Sequence, residues 1–451
     1  MEIMKERTIQ LLTEHKFAEL RALLAELNSA DLAVTLSEIP ENLLPAVFRL
    51  LPKDLAADTF IEMDSDMQET LLRVFTDPEL EWVMAELFID DTVDIIEEMP
   101  ATIVRRLLKS VPKEKRDIIN EVLNYPSESA GSYMTVEYIS LKENMTVSEA
   151  FAKIRSEGVN KETIYTCYVT DRSRIVMGTV SARELMLASP DDKVGDLMER
   201  NVISCFTSDK AEDVARMIEK YDLLAIPVTD AEKRIVGIIT FDDAMDIIRE
   251  QTDDTIMKMA AVEPLEEGYF KTPTFTHARK RLLWLLVLMV SATGTGLIIT
   301  AYENAMTAIM VSFIPMLMGT GGNSGSQSSA IIIRGLATGE LTLKDFGRVI
   351  FKEFRIALIA GVALALANAV RILLLNQFYY HIPGGMTTEM IVVGVTLICA
   401  VVTAKTLGCM LPMLAKRLGL DPALIASPVL TTLVDAGTVL IYFSIASGFG
   451  M

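Results

Sequence analysis

The chain has 451 residues, with 61 acidic and 42 basic side chains and a formal net charge of −19. Residues 1–270 carry 54 acids against 29 bases, whereas residues 271–451 carry 7 acids against 13 bases and are largely apolar. This balance excludes nucleic acid as an expected partner, since phosphate contacts need lysine and arginine, and the four cysteines lack the CxxC spacing of a zinc site.

Residues 1–128 predict a helical domain with an internal repeat at a spacing of 60. Segment 27–40 is similar to segment 87–100, and Leu-Pro-Lys at 51–53 corresponds to Val-Pro-Lys at 111–113. Polar caps, apolar residues at helical spacing and a terminating proline are typical of short helices. Because repeated helix pairs stack on one another, we expect an all-α superhelical N-terminal domain.

Residues 129–252 change character and predict two α/β modules, 129–195 and 196–252. Strands are expected at 163–170, 175–181, 225–229 and 235–240, with helices opening at caps near Thr146 and Ser208. The segment from Ile175 matches the segment from Ile235, and both end in Gly-apolar-apolar-Ser/Thr-x-x-Asp/Glu or a close variant. This doubled pattern resembles a tandem pair of cystathionine-β-synthase (CBS) modules.

Five apolar segments follow a connecting helix at 253–278, and each is long enough to span a bilayer. They predict a five-helix transmembrane domain over 279–451, with spans at 282–302, 306–336, 350–378, 390–414 and 423–449. Basic residues cluster before the first span, between the second and third, and after the fourth. By the positive-inside rule the chain is a multidomain protein of the cell membrane, with its N-terminal domains in the cytoplasm and its C-terminus outside.

The second span contains a run rich in glycine, serine and amide residues, from Pro315 to Ser329. Such a run is not expected to face lipid as a plain helix, and irregular backbone at membrane depth is tolerated only against protein or a water-filled cavity. One interpretation is a pore-lining segment formed by Gly321, Gly322, Asn323 and Gln327. The alternative is a surface of small residues for close helix packing.

Asp435 is the one acidic residue inside the fifth apolar span. A carboxylate at that depth is costly unless it meets water, a partner charge or a cation, so we interpret Asp435 as a functional residue. Thr431 and Thr432 share its helix face, and oxygen ligands are what Mg²⁺ and Ca²⁺ require. An ion pair with Lys405 of the fourth span is the alternative.

Acidic residues also cluster along the soluble part. Asp91 and Asp94 lie three residues apart, as do Asp243 and Asp246, so each pair shares one helix face where like charges repel. Two such faces brought together predict a latch that closes when cations lie between them. The alternative is an ordinary solvated acidic surface.

The domain order, the sequence GTGGNSGSQ at 319–327 and the sequence PVLTTLVDAG at 428–437 resemble the MgtE family of magnesium channels. The resemblance implies a homodimer in the lipid bilayer, a pore lined by the second and fifth spans, and Asp435 as the pore aspartate. It also implies regulatory carboxylates for Mg²⁺, which map onto Asp90, Asp91, Asp94, Glu212, Asp222, Asp243, Asp246, Asp254 and Asp421. Some related CBS pairs bind adenine nucleotides, which makes ATP an expected modulator, with Thr240 and Asp243 as the candidate contacts.

The sequence therefore predicts a channel that imports Mg²⁺ and is closed by cytoplasmic Mg²⁺. A transporter coupled to H⁺ or Na⁺, with Asp435 as the coupling site, is one alternative, and a nucleotide-sensing membrane protein without transport is another. No nucleophile–base pairing or cofactor motif is visible, so we do not expect an enzyme. The sequence does not distinguish Mg²⁺ from Mn²⁺, Co²⁺ or Ni²⁺.

Overall fold

In a computed structural model of the chain, residues 2–264, 269, 272–302, 307–381 and 386–450 are described. Contacts divide the chain into two compact units, Met1–Arg249 and Glu250–Met451. The first unit holds the predicted helical repeats and both α/β modules. The second unit holds the long apolar helices, and parts of two predicted elements, at 265–268 with 270–271 and at residue 306, lie outside the described residues.

The first unit begins with a domain of short helices. They are α1 (Glu2–Thr13), α2 (Phe17–Leu24), α3 (Ser29–Ser37), α4 (Leu44–Phe48), α5 (Lys53–Ile61), α6 (Ser65–Val74), α7 (Asp77–Glu86), α8 (Ile89–Glu98), α9 (Ala101–Ser110) and α10 (Lys113–Val122). The predicted repeat is visible in their positions, because α3 and α8 begin 60 residues apart, as do α5 and α10. Prolines stand at the N-cap of both α5 and α10, where a missing backbone N–H costs little.

The repeat also appears in the core of this domain. Leu36 on α3 and Ile96 on α8 are buried at equivalent positions, and so are Thr59 on α5 and Ile119 on α10. Their burial at helical spacing shows that each copy turns the same face inward. The N-terminal domain is therefore a packed array of helices, as the sequence predicts.

Two small three-stranded sheets with identical topology follow. β1 (Ser140–Leu141) pairs in parallel with β2 (Thr166–Thr170), which pairs antiparallel with β3 (Val176–Ser181). β4 (Cys205–Phe206), β5 (Ala225–Thr229) and β6 (Ile235–Thr240) repeat this order. The helices are α11 (Val147–Glu157), α12 (Ala182–Leu187), α13 (Val194–Leu197), α14 (Ala211–Lys220) and α15 (Phe241–Met259), with a short 3₁₀ turn at Gly158–Asn160.

The helix cap predicted from the sequence was correct in the first α/β module and wrong in the second. Thr146 caps α11 in a capping box, in which its hydroxyl accepts from the Glu149 N–H at 3.2 Å and its own N–H donates to the Glu149 carboxylate at 2.9 Å. The cap expected at Ser208 is wrong, since α14 begins after Lys210. Residues 207–209 form a turn and a bend, and Lys210 has an extended backbone and forms a bridge with Ser129.

The second unit consists mainly of long helices. They are α16 (Thr274–Tyr302), α17 (Ala308–Val311), α18 (Ile314–Ala337), α19 (Phe346–Leu375), α20 (Thr387–Arg417) and α21 (Pro422–Gly448), with a 3₁₀ turn at Leu343–Asp345 and a π turn at Asn376–Tyr380. Among the described residues, four helical stretches are long and apolar enough to cross a membrane: Thr274–Tyr302, Leu343–Tyr379, Thr387–Arg417 and Pro422–Gly448. The helix α18 is not among these four.

The irregular backbone expected in the second span is absent, because α18 is a continuous helix through the glycine-rich run. The small residues instead allow other helices to approach closely. A β-carbon added at Gly408 of α20 would lie 2.4 Å from the Gly325 carbonyl oxygen, so the two backbones are in direct contact. The packing alternative is therefore present in the structure, and it requires glycine at these positions.

All four cysteines are free. Cys167 on β2 and Cys205 on β4 are buried, and burial raises the pKa of each thiol to about 12. Cys409 on α20 is also buried, while Cys399 is partly exposed.

The contact between α18 and α20 gives a prediction for stability. Gly408→Ala places a methyl group against backbone that cannot move aside, so we expect a loss of about 1–3 kcal/mol in the free energy of unfolding. The measurement is the midpoint of thermal denaturation in detergent. Gly294→Ala is the matched control, since no atom lies within 4 Å of a β-carbon there; equal midpoints for the two variants would contradict the prediction.

Candidate functional site

Asp435 lies in the middle of α21, on the side that faces α18. A β-carbon added at Gly322 would lie 3.8 Å from Oδ1 of Asp435, and one at Gly321 would lie 2.9 Å from the Thr438 hydroxyl. A larger side chain at Gly322 would enter the space beside the carboxylate, whereas one at Gly321 would meet Thr438 and Val434. Within the part of the chain that the structure describes, no side chain or backbone N–H donates a hydrogen bond to Asp435.

The other predicted pore residues lie on neighbouring turns of the same two helices. Asn323 and Gln327 are exposed in the single chain and stand one turn apart on α18. Thr431 is exposed and lies four residues before Asp435, and Thr432 is half-buried and lies three residues before it. The structure therefore brings Gly322 and Asp435 together directly and places Gly321 against Thr438 and Val434 of the same helix α21.

The ion pair between Lys405 and Asp435 is not formed. Lys405 Nζ points to α18 instead, where it donates to the Ser328 hydroxyl at 3.2 Å and lies 3.5 Å from the Ser324 carbonyl oxygen. Ser328 in turn donates to Oε2 of Glu353 on α19 at 2.6 Å. The alternative in which Lys405 neutralises Asp435 is therefore wrong.

Acidic residues of the N-terminal domain and the CBS pair meet inside the first unit. Asp90, at the first turn of α8, is only 8% exposed, and burial together with Asp91 and Asp243 raises its pKa well above the ordinary value. Burial and Asp243 raise the pKa of Asp91 to about 6. Asp243, at the first turn of α15, also has its pKa raised by burial, although its carboxylate accepts hydrogen bonds from Thr240. These carboxylates are held close enough to repel.

Two charged residues of this cluster, one acidic and one basic, were not identified from the sequence. Glu162 lies in the loop before β2, where its N–H donates to the Glu137 carbonyl oxygen at 2.9 Å, and burial with Asp91 and Asp243 raises its pKa to about 8. Lys115 of α10 donates to the carbonyl oxygens of Met84 and Leu87 at the end of α7, and burial lowers its pKa although Glu137, Asp90 and Asp91 oppose this. Neither residue belongs to a local motif that points to this cluster, so only the fold reveals it.

Asp94, one turn along α8 from Asp91, borders this cluster. Its side chain is exposed, yet desolvation by the surrounding protein, together with Asp91 and Asp243, raises its pKa to about 7. The remaining predicted regulatory residues stand apart, and Asp246 is exposed. Glu212 pairs with Arg216 one turn along α14. Asp222 follows the same helix with a left-handed backbone, φ 50°. The structure thus does not gather Glu212, Asp222 and Asp246 with Asp90 and Asp91 into one site.

A second pair of predicted acids meets in the second unit through a lysine. Lys258 Nζ lies 3.4 Å from Asp254 Oδ2 on its own helix and 3.3 Å from Asp421 Oδ2 at the N-cap of α21. Burial would lower the pKa of Lys258, but the hydrogen bond to Asp421 and both carboxylates raise it. Asp421 also accepts from the Ala423 N–H at 2.8 Å. The ammonium group therefore occupies the position between two carboxylates.

Among the described residues, no three His, Cys, Asp or Glu side chains stand close enough to enclose one metal ion. A hydrated Mg²⁺ keeps most of its water and needs only one or two carboxylates from the protein, which Asp435 or the pair Asp91 and Asp243 could supply. Thr240, the candidate nucleotide contact, is buried, and its hydroxyl already donates a hydrogen bond to the Asp243 carboxylate. The arrangement suits capture of a hydrated dication rather than a closed metal cage.

Comparison with known protein families covers most of the chain. A family described as a divalent cation transporter, MgtE, matches residues 314–445, and the MgtE intracellular N domain matches residues 27–128. The CBS domain matches twice, at 130–191 and 194–250. These ranges follow the helical domain, the two α/β modules and helices α18 to α21.

Relatives and solved structures agree with this division. The chain is 34% identical to the magnesium transporter MgtE of Thermus thermophilus over 97% of this chain and 96% of the relative, and 32% identical to that of Bacillus subtilis over 98% and 96%. The cytosolic domain of an Mg²⁺ channel MgtE in complex with ATP is similar with a TM-score of 0.51 and 31% identity, over 54% of this chain and 99% of that one. The soluble part of a magnesium transporter is similar with a TM-score of 0.52 and 28% identity, over 55% and 98%. The chain therefore belongs to the MgtE family.

Proposed function

We propose that the protein is an Mg²⁺ channel of the cell membrane that imports Mg²⁺ and is closed by cytoplasmic Mg²⁺. In this proposal α16, α18, α19, α20 and α21 all span the bilayer, the soluble domains are cytoplasmic, the C-terminus is outside, and two chains form the pore on their symmetry axis. The observation that carries it is the Asp435 carboxylate, which faces Gly322 of the glycine-rich α18 and receives no hydrogen bond from the described residues.

The environment of Asp435 supports a cation pathway. A carboxylate on a spanning helix is costly in lipid unless it is solvated or paired, and Lys405 is committed to α18 and α19. One carboxylate does not strip Mg²⁺ of its water, since this ion dehydrates reluctantly. Two copies of Asp435 across a symmetry axis would hold the ion through its retained water shell. The amides of Asn323 and Gln327 and the hydroxyls of Thr431 and Thr432 would add oxygen contacts to that water.

The acidic cluster supports closure by cytoplasmic Mg²⁺. Asp90, Asp91, Glu162 and Asp243 have raised pKa values because they are buried and lie close to one another, and the single nearby lysine, Lys115, does not balance their charges. Mg²⁺ binds the compact arrangement better than an open one, since only the compact arrangement offers several carboxylates together. Rising Mg²⁺ would therefore shift the population toward the compact state, and falling Mg²⁺ would release it.

The end of α15 supports a mechanical connection to the pore helices. Met259 packs with Ile333 of α18 and Ala423 of α21, and Lys258 joins Asp254 to Asp421 at the start of α21. In the proposal this connecting helix holds the cytoplasmic ends of α18 and α21 in the closed state. We also propose that Mg²⁺ contacts four further acids in states where the soluble domains are only partly compact: Asp94, Glu212, Asp222 and Asp246.

ATP is proposed as a modulator that binds the CBS pair. The support is the similarity to a cytosolic MgtE domain solved in complex with ATP. Thr240 and Asp243 are the proposed contacts, and their mutual hydrogen bond would have to open or be shared with the ribose. Because Asp243 also faces Asp91, nucleotide and Mg²⁺ would influence each other through this residue.

The first test concerns Asp435. We expect Asp435→Ala to reduce Mg²⁺ influx into proteoliposomes to the level of protein-free vesicles, because the carboxylate that attracts the ion is lost. Glu340→Gln, which removes an exposed carboxylate between α18 and α19, is the matched control and keeps the influx. Normal influx through Asp435→Ala contradicts the proposal, and influx that stops without a pH or Na⁺ gradient favours a coupled transporter instead.

The second test concerns protons as substitutes for Mg²⁺. The compact arrangement raises the pKa values of Asp91 and Glu162 to about 6 and about 8 from ordinary values of 3.8 and 4.5. Protonation therefore favours compaction, and this stabilisation is lost as the pH rises from about 4 to 8. Without Mg²⁺, we expect the soluble region of the full chain to resist limited proteolysis more at pH 6 than at pH 8.

A variant separates this effect from the pH dependence of the protease. Glu162→Gln removes the carboxyl group with the higher of these two pKa values. The resistance of this variant to proteolysis at pH 8 should therefore approach that of the unmodified chain at pH 6. Asp191→Asn, an exposed acid of the first CBS module, is the control and should follow the unmodified chain. If Glu162→Gln and Asp191→Asn give the same digestion rates at both pH values, the acidic cluster does not govern compaction.

The third test concerns Lys258. Lys258→Met leaves Asp254 and Asp421 facing each other without a cation, so the contact between the connecting helix and α21 weakens. We expect the Mg²⁺ concentration for half-closure to rise at least about threefold in single-channel recordings. Lys344→Met, at an exposed position, is the control; an unchanged half-closing concentration in Lys258→Met refutes the expected role.

A further inference from the structure

Three charged or polar side chains that the proposed pore does not use form a buried network inside the second unit. Lys405 on α20 and Glu353 on α19 are each 7% exposed, and Ser328 on α18 is completely buried between them. Lys405 Nζ lies 3.2 Å from the Ser328 hydroxyl, which lies 2.6 Å from Oε2 of Glu353. Three helices are therefore joined through one serine side chain.

The chemistry of the three groups gives the directions of these hydrogen bonds. An ammonium group can only donate, so Ser328 accepts from Lys405 and uses its own proton to donate to Glu353. An ammonium group and a carboxylate joined in this way carry one positive and one negative charge that balance, as buried charges require.

The network lies directly behind the turn of α18 that reaches Asp435. Gly322 faces Asp435, whereas Ser324 and Ser328, two and six residues further on, face Lys405. These separations are a rise of about 3–9 Å along the axis of α18, so the network lies within two turns of Gly322. A charge on an adjoining turn acts on an ion in the pathway, because protein and lipid screen it less than water does.

We propose that Glu353 compensates the charge of Lys405, through Ser328, so that the buried ammonium group does not repel the cations that pass Asp435. Glu353 then acts on the ion pathway through its charge, although neither residue lines it. The inference rests on the proposed function, since it assumes a cation pathway beside Asp435. Loss of Glu353 leaves an uncompensated positive charge near a dication, whereas loss of Lys405 does not.

The test is a double-mutant cycle read by Mg²⁺ current through the full-length protein in planar bilayers. Glu353→Gln keeps the shape and a hydrogen-bonding group beside Ser328, and should lower the current at least about threefold. Lys405→Met removes the ammonium group and should leave the current equal to or above that of the unmodified chain. The double variant, Lys405→Met with Glu353→Gln, should recover most of the current lost in Glu353→Gln.

A purely structural network would give a different pattern, because each single variant would then lower the current and the double variant would not recover. That result overturns the inference, as does an unchanged current in Glu353→Gln. If Glu353→Gln yields no monodisperse protein, Lys405→Met alone decides: a current at or above the unmodified level supports the inference, and a threefold or larger loss overturns it. Absence of current in the unmodified chain, or normal current in Asp435→Ala, refutes the proposed function instead.

Discussion

Direct backbone contact between α18 and α20 at Gly325 and Gly408 determines the geometry around Asp435. The two helices can approach this closely only because neither position carries a β-carbon. The same approach brings Lys405 within reach of Ser328 and leaves Gly322 turned toward α21. Packing, the buried polar network and the position of the carboxylate therefore depend on one close contact, and a side chain at either glycine would disturb all three.

In each of the two units, one lysine lies among several carboxylates. In the first unit, Lys115 lies near Asp90, Asp91 and Glu137 while it is anchored on the end of α7. In the second unit, Lys258 lies between Asp254 and Asp421. Each lysine supplies one positive charge where several negative charges meet, which reduces repulsion without removing it. Because each lysine already supplies one positive charge, fewer Mg²⁺ ions would be needed to balance the carboxylates in the proposed compact state.

Sequence patterns predicted those features that depend on local periodicity. Strands β5 and β6 begin and end where the β-branched runs do, and the spacing of 60 residues reappears in α3, α5, α8 and α10. Strands β1 and β4 have two residues each, too few to show any alternation. The glycine-rich run was expected to be irregular because a polar, glycine-rich helix is not expected to face lipid, but the run is a regular helix that packs against α20 and α21. Glu162, Lys115, Lys258 and Glu353 gain their significance from distant neighbours, which no local pattern records.

The burial of Cys167 and Cys205 has a practical consequence for following the soluble domains in solution. Their thiols have pKa values of about 12, so almost no reactive thiolate is present at neutral pH. A maleimide dye would leave both strands unmodified, and their native cysteines need not be replaced. Fluorophores introduced at exposed positions on α8 and α15 could then report the distance between the N-terminal domain and the CBS pair by energy transfer, with the sheets as unlabelled scaffolds.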